Sequence, residues 1–383
     1  MSTRALRLMV ATLALLGAGV ADAAPRVQPF VGAEMALRRP YLAPIGSGTG
    51  AVALRPSLHA GGLLRAGTSA YQLNLGVDGR LYDYIGVAGS PIRAGGRGDL
   101  GLKVGSNAAL KPVLRSHIEY ALEDRIQASP LTLPHLDAGG TVGLERDGGG
   151  VLVGSLLFDV NGETWKGSYS GMIIGGRGQL GYRYYPRTEA PALRASASRN
   201  LALGATTLGV EAGLTGQVGK RTDVSAWVGW GRLSEGGAKV PLTAPVFGEV
   251  SVGWQPRRAT RVDFYGKRQL DTRVYSAGDV TNGVGVAGQL QGAGVQALVG
   301  GDAVLHQYVG SGLARVDTTL RATAELAWAP GASNRLWTVG NVYTLGRKSS
   351  DGSVDGLGWG VGVGVEYWPA SGRQRTASGS WIR

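Results

Sequence analysis

The sequence predicts an all-β protein, a transmembrane antiparallel up-and-down β-barrel of about eighteen strands, with sixteen to twenty compatible. Three observations point there. Short turns recur about every 37 residues, often just after an aromatic residue. The runs between them alternate apolar and polar side chains with the period of two that a strand imposes. The part of the chain after residue 23 holds no run of eighteen apolar residues, so it offers no helix to cross a bilayer.

At the N-terminus, Arg4 and Arg7 precede an apolar run from Leu8 to Val20, and Ala21-Asp22-Ala23 supplies a small-residue cleavage site. Residues 1–23 read as a secretory signal peptide, too short in its apolar part for a good anchor. Residues 24–368 are expected to form the outer-membrane barrel and 369–383 a short periplasmic tail. A run of alternation opens the barrel near Val27. From Ala70 to Tyr82, Tyr71, Leu73, Leu75, Val77 and Leu81 oppose Gln72, Asn74, Asp78 and Arg80. From Val113 to Arg125, Leu114, Ile118, Tyr120 and Leu122 oppose Arg115, His117, Glu119 and Glu123. From Arg315 to Trp328, Val316, Leu320, Ala322, Ala324 and Leu326 oppose Asp317, Arg321, Thr323 and Glu325. Near the C-terminus, Trp359, Val361, Val363, Val365 and Tyr367 oppose Gly360, Gly362, Gly364 and Glu366. An amphipathic helix would repeat its apolar positions at three and four instead. A soluble sandwich also alternates. Long segments, aromatics at their ends and charges repeated along one face favour the barrel.

Periplasmic turns fall near residues 67, 111, 147, 186, 219, 256, 291, 330 and 369, and each closes a two-strand unit. Gly50 to Arg65, with Pro56, and Gly149 to Asp159 alternate poorly, which leaves the strand number its margin. Outer loops are expected at 38–49, 83–96, 127–138, 160–172, 233–245, 271–278, 306–315 and 346–357, none an obvious constriction loop. Tyr71, Tyr184, Trp254, Trp328, Trp359, Tyr367 and Trp368 are expected at the membrane–water interfaces, with outer-membrane lipid around them.

Composition narrows the function classes. Gly makes up 65 of 383 residues while 43% are hydrophobic, which excludes a disordered chain, and no G-X-Y period suggests collagen. On an inner barrel face, glycine lets strands bend and leaves the lumen open. With no Cys there is no disulfide or thiol chemistry. The net charge of +12 is dispersed singly along strands and turns, so no nucleic-acid partner is expected. His59, His117, His135 and His306 stand apart from any Ser, Asp or Glu at a catalytic spacing, and no metal or nucleophile motif occurs. Neither enzyme activity, metal nor cofactor is expected.

What remains is the wall. Arg80, Lys103, Arg115, Arg183, Arg194, Arg261, Lys267 and Arg321 are expected to line the lumen, tempered by Glu119, Asp263 and Glu325. At sixteen to eighteen strands side chains cannot fill the interior, so an aqueous lumen follows. A basic wall concentrates anionic solutes, and its amide, guanidinium and Tyr groups offer a sugar many weak hydrogen bonds.

The run Trp254-x-Pro-Arg-x-x-Thr, then Arg268 with Asp271 and Tyr275, Arg315-x-Asp317 and Arg347-x-Ser349-Ser350-Asp351, resembles outer-membrane barrels of exopolysaccharide operons. These are the β-barrel porin type 2 group and the related polysaccharide-export porins of myxobacteria. The run from Gly181 to Thr188 is similar to their mid-chain strand-turn-strand, and the resemblance spans roughly 97–368. It implies a porin-like channel exporting a secreted polysaccharide, its cargo, received from periplasmic polysaccharide-export components. It supplies no catalytic residues. An anchoring barrel of a surface motility, adhesion or assembly machine, and an outer-membrane enzyme, are the alternatives.

Overall fold

The computed structural model describes residues 26–39, 52–67, 71–83, 85, 93–104, 111–121, 135–146, 152–165, 169–182, 190–242, 244–273, 275–292, 294–312, 314–331, 334–351 and 356–369. The expected signal peptide and nearly all of the expected tail lie outside this set. In chain order the strands are β1 (Arg26–Arg39), β2 (Ala53–Gly67), β3 (Tyr71–Tyr82), β4 (Arg93–Val104), β5 (Lys111–Ala121) and β6 (His135–Arg146). They continue with β7 (Leu152–Trp165), β8 (Tyr169–Tyr182), β9 (Ala190–Asn200), β10 (Ala205–Val218), β11 (Thr222–Glu235), β12 (Ala238–Val240) and β13 (Val246–Arg257). The last are β14 (Thr260–Arg273), β15 (Ser276–Gln291), β16 (Val295–Gly312), β17 (Val316–Trp328), β18 (Leu336–Ser349) and β19 (Gly356–Tyr367).

Each strand pairs antiparallel with its sequence neighbours, and β12 is a three-residue piece within the β11–β13 connection. Eighteen strands therefore make the wall. The wall closes where β1, already paired with β2, also pairs with β19 from Val31↔Tyr367 to Arg39↔Trp359. Closure matters because an open sheet edge cannot be hydrated inside a bilayer. Gly50 to Arg65, weak by alternation, supplies most of β2, its Pro56 standing on the outward row among Leu54 and Leu58.

The fully described turns at the periplasmic end, 219–221 between β10 and β11 and 258–259 between β13 and β14, fall beside the expected positions near 219 and 256. The outer end differs. Residues 160–172, 271–278 and 306–315, expected as loops, are largely strand: β7 runs to Trp165, β14 to Arg273 and β16 to Gly312. An outer turn at 201–204 was not foreseen. Asn200 builds it by accepting hydrogen bonds from the backbone N–H of Ala202 and Leu203 at 2.9 and 3.1 Å, and Gly204 supplies φ +64°.

Apolar side chains stand outward in continuous rows, such as Val27, Val31, Met35 and Leu37 on β1 and Val361, Val363 and Val365 on β19. Glycines occur on both rows, and on the inward rows several have a specific use. Gly213, Gly285 and Gly360 are shelves on which a long side chain of the next strand lies flat. A Cβ at Gly285 would come within 2.4 Å of Tyr265, at Gly360 within 2.4 Å of Tyr343, and at Gly213 within 2.5 Å of Trp227. Each bare glycine lets that ring cross its strand and reach the strand beyond. Large side chains thereby follow the wall instead of filling the bore.

Candidate functional site

The β14–β15 hairpin decides the shape of the lumen. Its tip leaves the wall. Strand β9 is four wall positions from β14, which at ~4.8 Å spacing and ~40° tilt is roughly 25 Å of circumference. Yet the hydroxyls of Ser198 on β9 and Thr272 on β14 are 3.0 Å apart, and Asn200 donates to the Arg273 carbonyl at 2.5 Å. Ala277 packs with Ala205 and Leu233 in a cluster flanked by Leu203, Val240, Leu242, Leu270 and Val309. Ser198, Ala205 and Leu233 belong to inward rows, so the tip lies across the outer half of the lumen. Register shifts between Asp271 and Arg273 and between Ser276 and Gly278 bend the two strands there.

Polar groups hold the other flank. Asp279 is fully buried, with His306 Nδ1 at 3.1 Å, the Thr281 hydroxyl at 3.2 Å and Arg273 Nε at 3.2 Å. His306 stacks on Tyr308, which meets Tyr275 edge-on with centroids 5.8 Å apart. Burial raises the phenol pKa of Tyr275 at the tip, keeping it protonated. Beside them, Asp317 takes Arg315 Nε at 3.0 Å, Arg347 at 2.5 Å and the Ser349 hydroxyl at 2.6 Å. Asp351 adds a further contact to Arg315 at 3.4 Å.

Below the tip the wall is a series of shared charges. Arg194 binds Glu211 with both Nε and Nη2, reaches Glu249 at 2.8 Å and lies over the Trp227 ring at 4.4 Å. Gln269 donates to the far oxygen of Glu249 at 2.7 Å. Tyr265 crosses Gly285 to donate to Asp302 at 2.8 Å, and the same carboxylate holds Arg321 at 2.7 Å. Glu34 gathers Arg38 and Arg55 at 3.3 Å and Arg80 at 3.9 Å. His59 passes over Gly32 to stand 3.5 Å from Glu366.

The expected lumen residues are placed as follows. Arg80, Arg194 and Arg321 stand on inward rows in the networks above. Arg115 pairs with Glu145 at 2.6 Å, and Arg261 with Asp263 at 2.8 Å and Asp223 at 3.0 Å. Lys267 is inward beside Gly283, in register with Glu249, and Glu325 is inward in register with Asn341. Lys103 and Glu119 are in register with Val113 and Arg97; their side chains, like that of Tyr71, lie outside the described set. Arg183 and Tyr184 lie outside it altogether. Sequence reasoning missed Glu34, Glu211, Glu249, Asp279 and Asp302, carboxylates on the same rows as the arginines. Alternation could have found them. Among the described residues, Arg80, Arg115, Arg194, Arg261 and Arg321 of the expected basic wall each stand beside a carboxylate, and Lys267 does not pair with one.

Trp254, Trp328 and Tyr367 are exposed on outward rows at the periplasmic ends, and Trp359 stands outward at the outer end. Trp368 corrects the expectation. It is 3% exposed, stacked on Phe30 at 4.6 Å beside Trp337 and Val339. One residue past outward Tyr367, alternation turns it inward, where it fastens the barrel seam.

No protein-family model matches the chain, and no curated protein matches it. Solved structures do. Pseudomonas aeruginosa OprD is similar at 10% identity, over 91% of this chain and 95% of that one, with a TM-score of 0.45. P. aeruginosa OccK2 (OpdF), in complex with glucuronate, is similar at 11% identity, over 91% and 99%, with a TM-score of 0.46. P. aeruginosa OccK1 (OpdK) is similar at 11% identity, over 91% and 98%, with a TM-score of 0.43. The architecture rests on the chain's own pairing. A closed antiparallel barrel with an apolar outer band and aromatics at both margins is built for a bacterial outer membrane.

Proposed function

We propose that this chain is a passive outer-membrane channel for small polar solutes, which pass between the β14–β15 tip and a wall of paired charges. The inward tip carries this reading. An eighteen-strand wall alone leaves a wide bore; one strand pair drawn across it leaves a narrower passage. The side chains there are carboxylates, guanidiniums, amides and hydroxyls. They exchange hydrogen bonds with a hydrated solute without holding it tightly. The wall binds no cofactor in this scheme and performs no reaction.

Proteoliposome swelling tests it. Monosaccharides and small organic acids should permeate readily, with rates falling steeply as a sugar series lengthens. No permeation by any of them would refute the channel. Export of a secreted polysaccharide, received from periplasmic components, is the second reading, supported by the Arg315-x-Asp317 and Arg347-x-Ser349 runs. Those residues form a buried network beside the tip, so they support the barrel's construction more directly than its cargo. Deleting the gene and measuring surface polysaccharide separates the two: unchanged secretion removes export and leaves the solute channel standing.

A further inference from the structure

The outward rows carry a charge pattern that solute passage does not use. Every carboxylate described on a barrel strand belongs to an inward row. Cations do not follow that rule. Arg39, Arg199, Arg232 and Lys348 stand on outward rows of β1, β9, β11 and β18, all strands running toward the outer end. Each of the three arginines follows directly on a lipid-facing apolar series, while Lys348 follows Thr344 and Gly346 beyond Val342. Arg39 comes after Val31, Met35 and Leu37, Arg199 after Leu193 and Ala197, and Arg232 after Val228 and Trp230. Arg232 lies three residues from the end of β11, roughly 8 Å below it at ~3.3 Å per residue and ~40° tilt.

Several inward arginines are held by carboxylates, as Arg194 and Arg321 show, while Arg177, inward on β8, has no such partner among the described residues. No hydrogen bond or ion pair within the chain engages these four outward cations among the described residues. A bare cation facing hydrocarbon costs about 2–4 kcal/mol at the bilayer centre and about 0–1 near the interface, so their place at the outer margin is one that lipid tolerates. Tolerance explains a cation there. It does not explain why every carboxylate described on the strands themselves faces inward, since an acid at the interface costs no more; just past β3, Asp83 continues an outward row at this end. Arg268, also outward, is instead spent on the chain itself, donating to the Val246 and Ala244 carbonyls and to Asn282.

We propose that Arg39, Arg199, Arg232 and Lys348 form a belt that binds phosphorylated glycolipid headgroups of the outer leaflet. This rests on the reading that the barrel stands in the outer membrane with its short turns periplasmic. Acyl chains lie along the apolar row, and the phosphate meets the cation at the row's end. A guanidinium offers two parallel N–H donors to phosphate oxygens, which a lone surface charge in water would not need. Cations at the outward strand ends then select anionic lipid over zwitterionic lipid.

Native mass spectrometry of the intact barrel, released from detergent with defined lipids, tests the belt. The probes are lipid A carrying its phosphates and lipid A stripped of them. The wild type should keep phosphorylated lipid A bound and prefer it at least tenfold over the stripped form. The combined Arg39→Gln, Arg199→Gln, Arg232→Gln and Lys348→Gln variant should lose that preference, with unchanged single-channel conductance showing that the barrel is intact. A second variant, Arg199→Lys with Arg232→Lys, should retain most of it. Equal binding of the two lipids by wild type, or equal preference in wild type and the glutamine variant, overturns the belt. So does a lipid-free multimer of the wild type that the glutamine variant dissolves, which would make the margin a contact between copies. Any of these results leaves the channel reading intact if conductance persists.

Discussion

Replacing Leu233 by alanine should loosen the hairpin tip and let the channel sample a wider state. Leu233 is 0% exposed, packed on Ala205 and Ala277 within the cluster that binds the tip to β10 and β11. Removing three carbons at ~0.8 kcal/mol each costs about 2.4 kcal/mol. A residual cavity raises this to about 3 kcal/mol. Some contacts are with the wall and survive detachment of the tip. If half the loss falls on the tip contact, about 1.5 kcal/mol, the detached population rises roughly tenfold. Single-channel recording in planar bilayers should show added steps of larger conductance. A lock supplies the control. The chain has no native Cys, and the Ser198 and Thr272 hydroxyls are 3.0 Å apart, so Ser198→Cys with Thr272→Cys brings two thiols close enough to bridge on oxidation. Oxidation should silence the extra steps of Leu233→Ala, and reduction should bring them back. Identical conductance and noise in wild type, Leu233→Ala and the locked protein would mean the tip does not border the passage.

Three further outcomes follow from the wall. Asp317→Ala leaves the buried Arg347 without its carboxylate and Arg315 with only the more distant Asp351, and should cost about 3–5 kcal/mol, lowering the urea midpoint in lipid vesicles; an unmoved midpoint would argue against the network. Gly285→Val places a side chain where Tyr265 crosses, 2.4 Å from its ring, and should cost about 1–3 kcal/mol by crowding. The Tyr265-to-Asp302 bond should be lost with it, and pairing the change with Tyr265→Ala should recover most of the loss. Arg194→Glu sets a third carboxylate beside Glu211 and Glu249 and should shift reversal potentials toward cation preference. Unchanged ion preference would remove that residue from the conduction path.

The paired wall changes how the positive charge of the chain is read. A count of +12 suggests a strongly basic bore. In space, Arg194, Arg261 and Arg321 each face a carboxylate within hydrogen-bonding distance, and several inward carboxylates serve two cations. Fields from such pairs cancel within a few ångströms, so they orient a polar solute near the wall more than they draw anions from a distance. Among the described residues, Arg39, Arg199, Arg232 and Lys348 stand on outward rows without a carboxylate partner, and Lys267 and Arg177 do so on inward rows.

Strand positions, periplasmic turns and the two faces of the sheet were legible in the residues alone. Alternation is a local property: a side chain at Val361 or Gly362 points where its own backbone directs it, whatever the rest of the chain does. Strand ends at the outer side were less legible, since Asp271 to Gly278 carries the polar, glycine-marked composition of a loop yet continues the ladder. Its inward bend depends on Leu233, Ser198 and Asn200, residues from distant strands whose meeting no local pattern records. Charge pairing was hidden for the same reason, because Arg194 and Glu249 lie 55 positions apart and meet only across two intervening wall strands. Local covalent geometry thus determined the barrel from the sequence, while closure of the sheet, which brings remote rows across a shared interior, decided its bore.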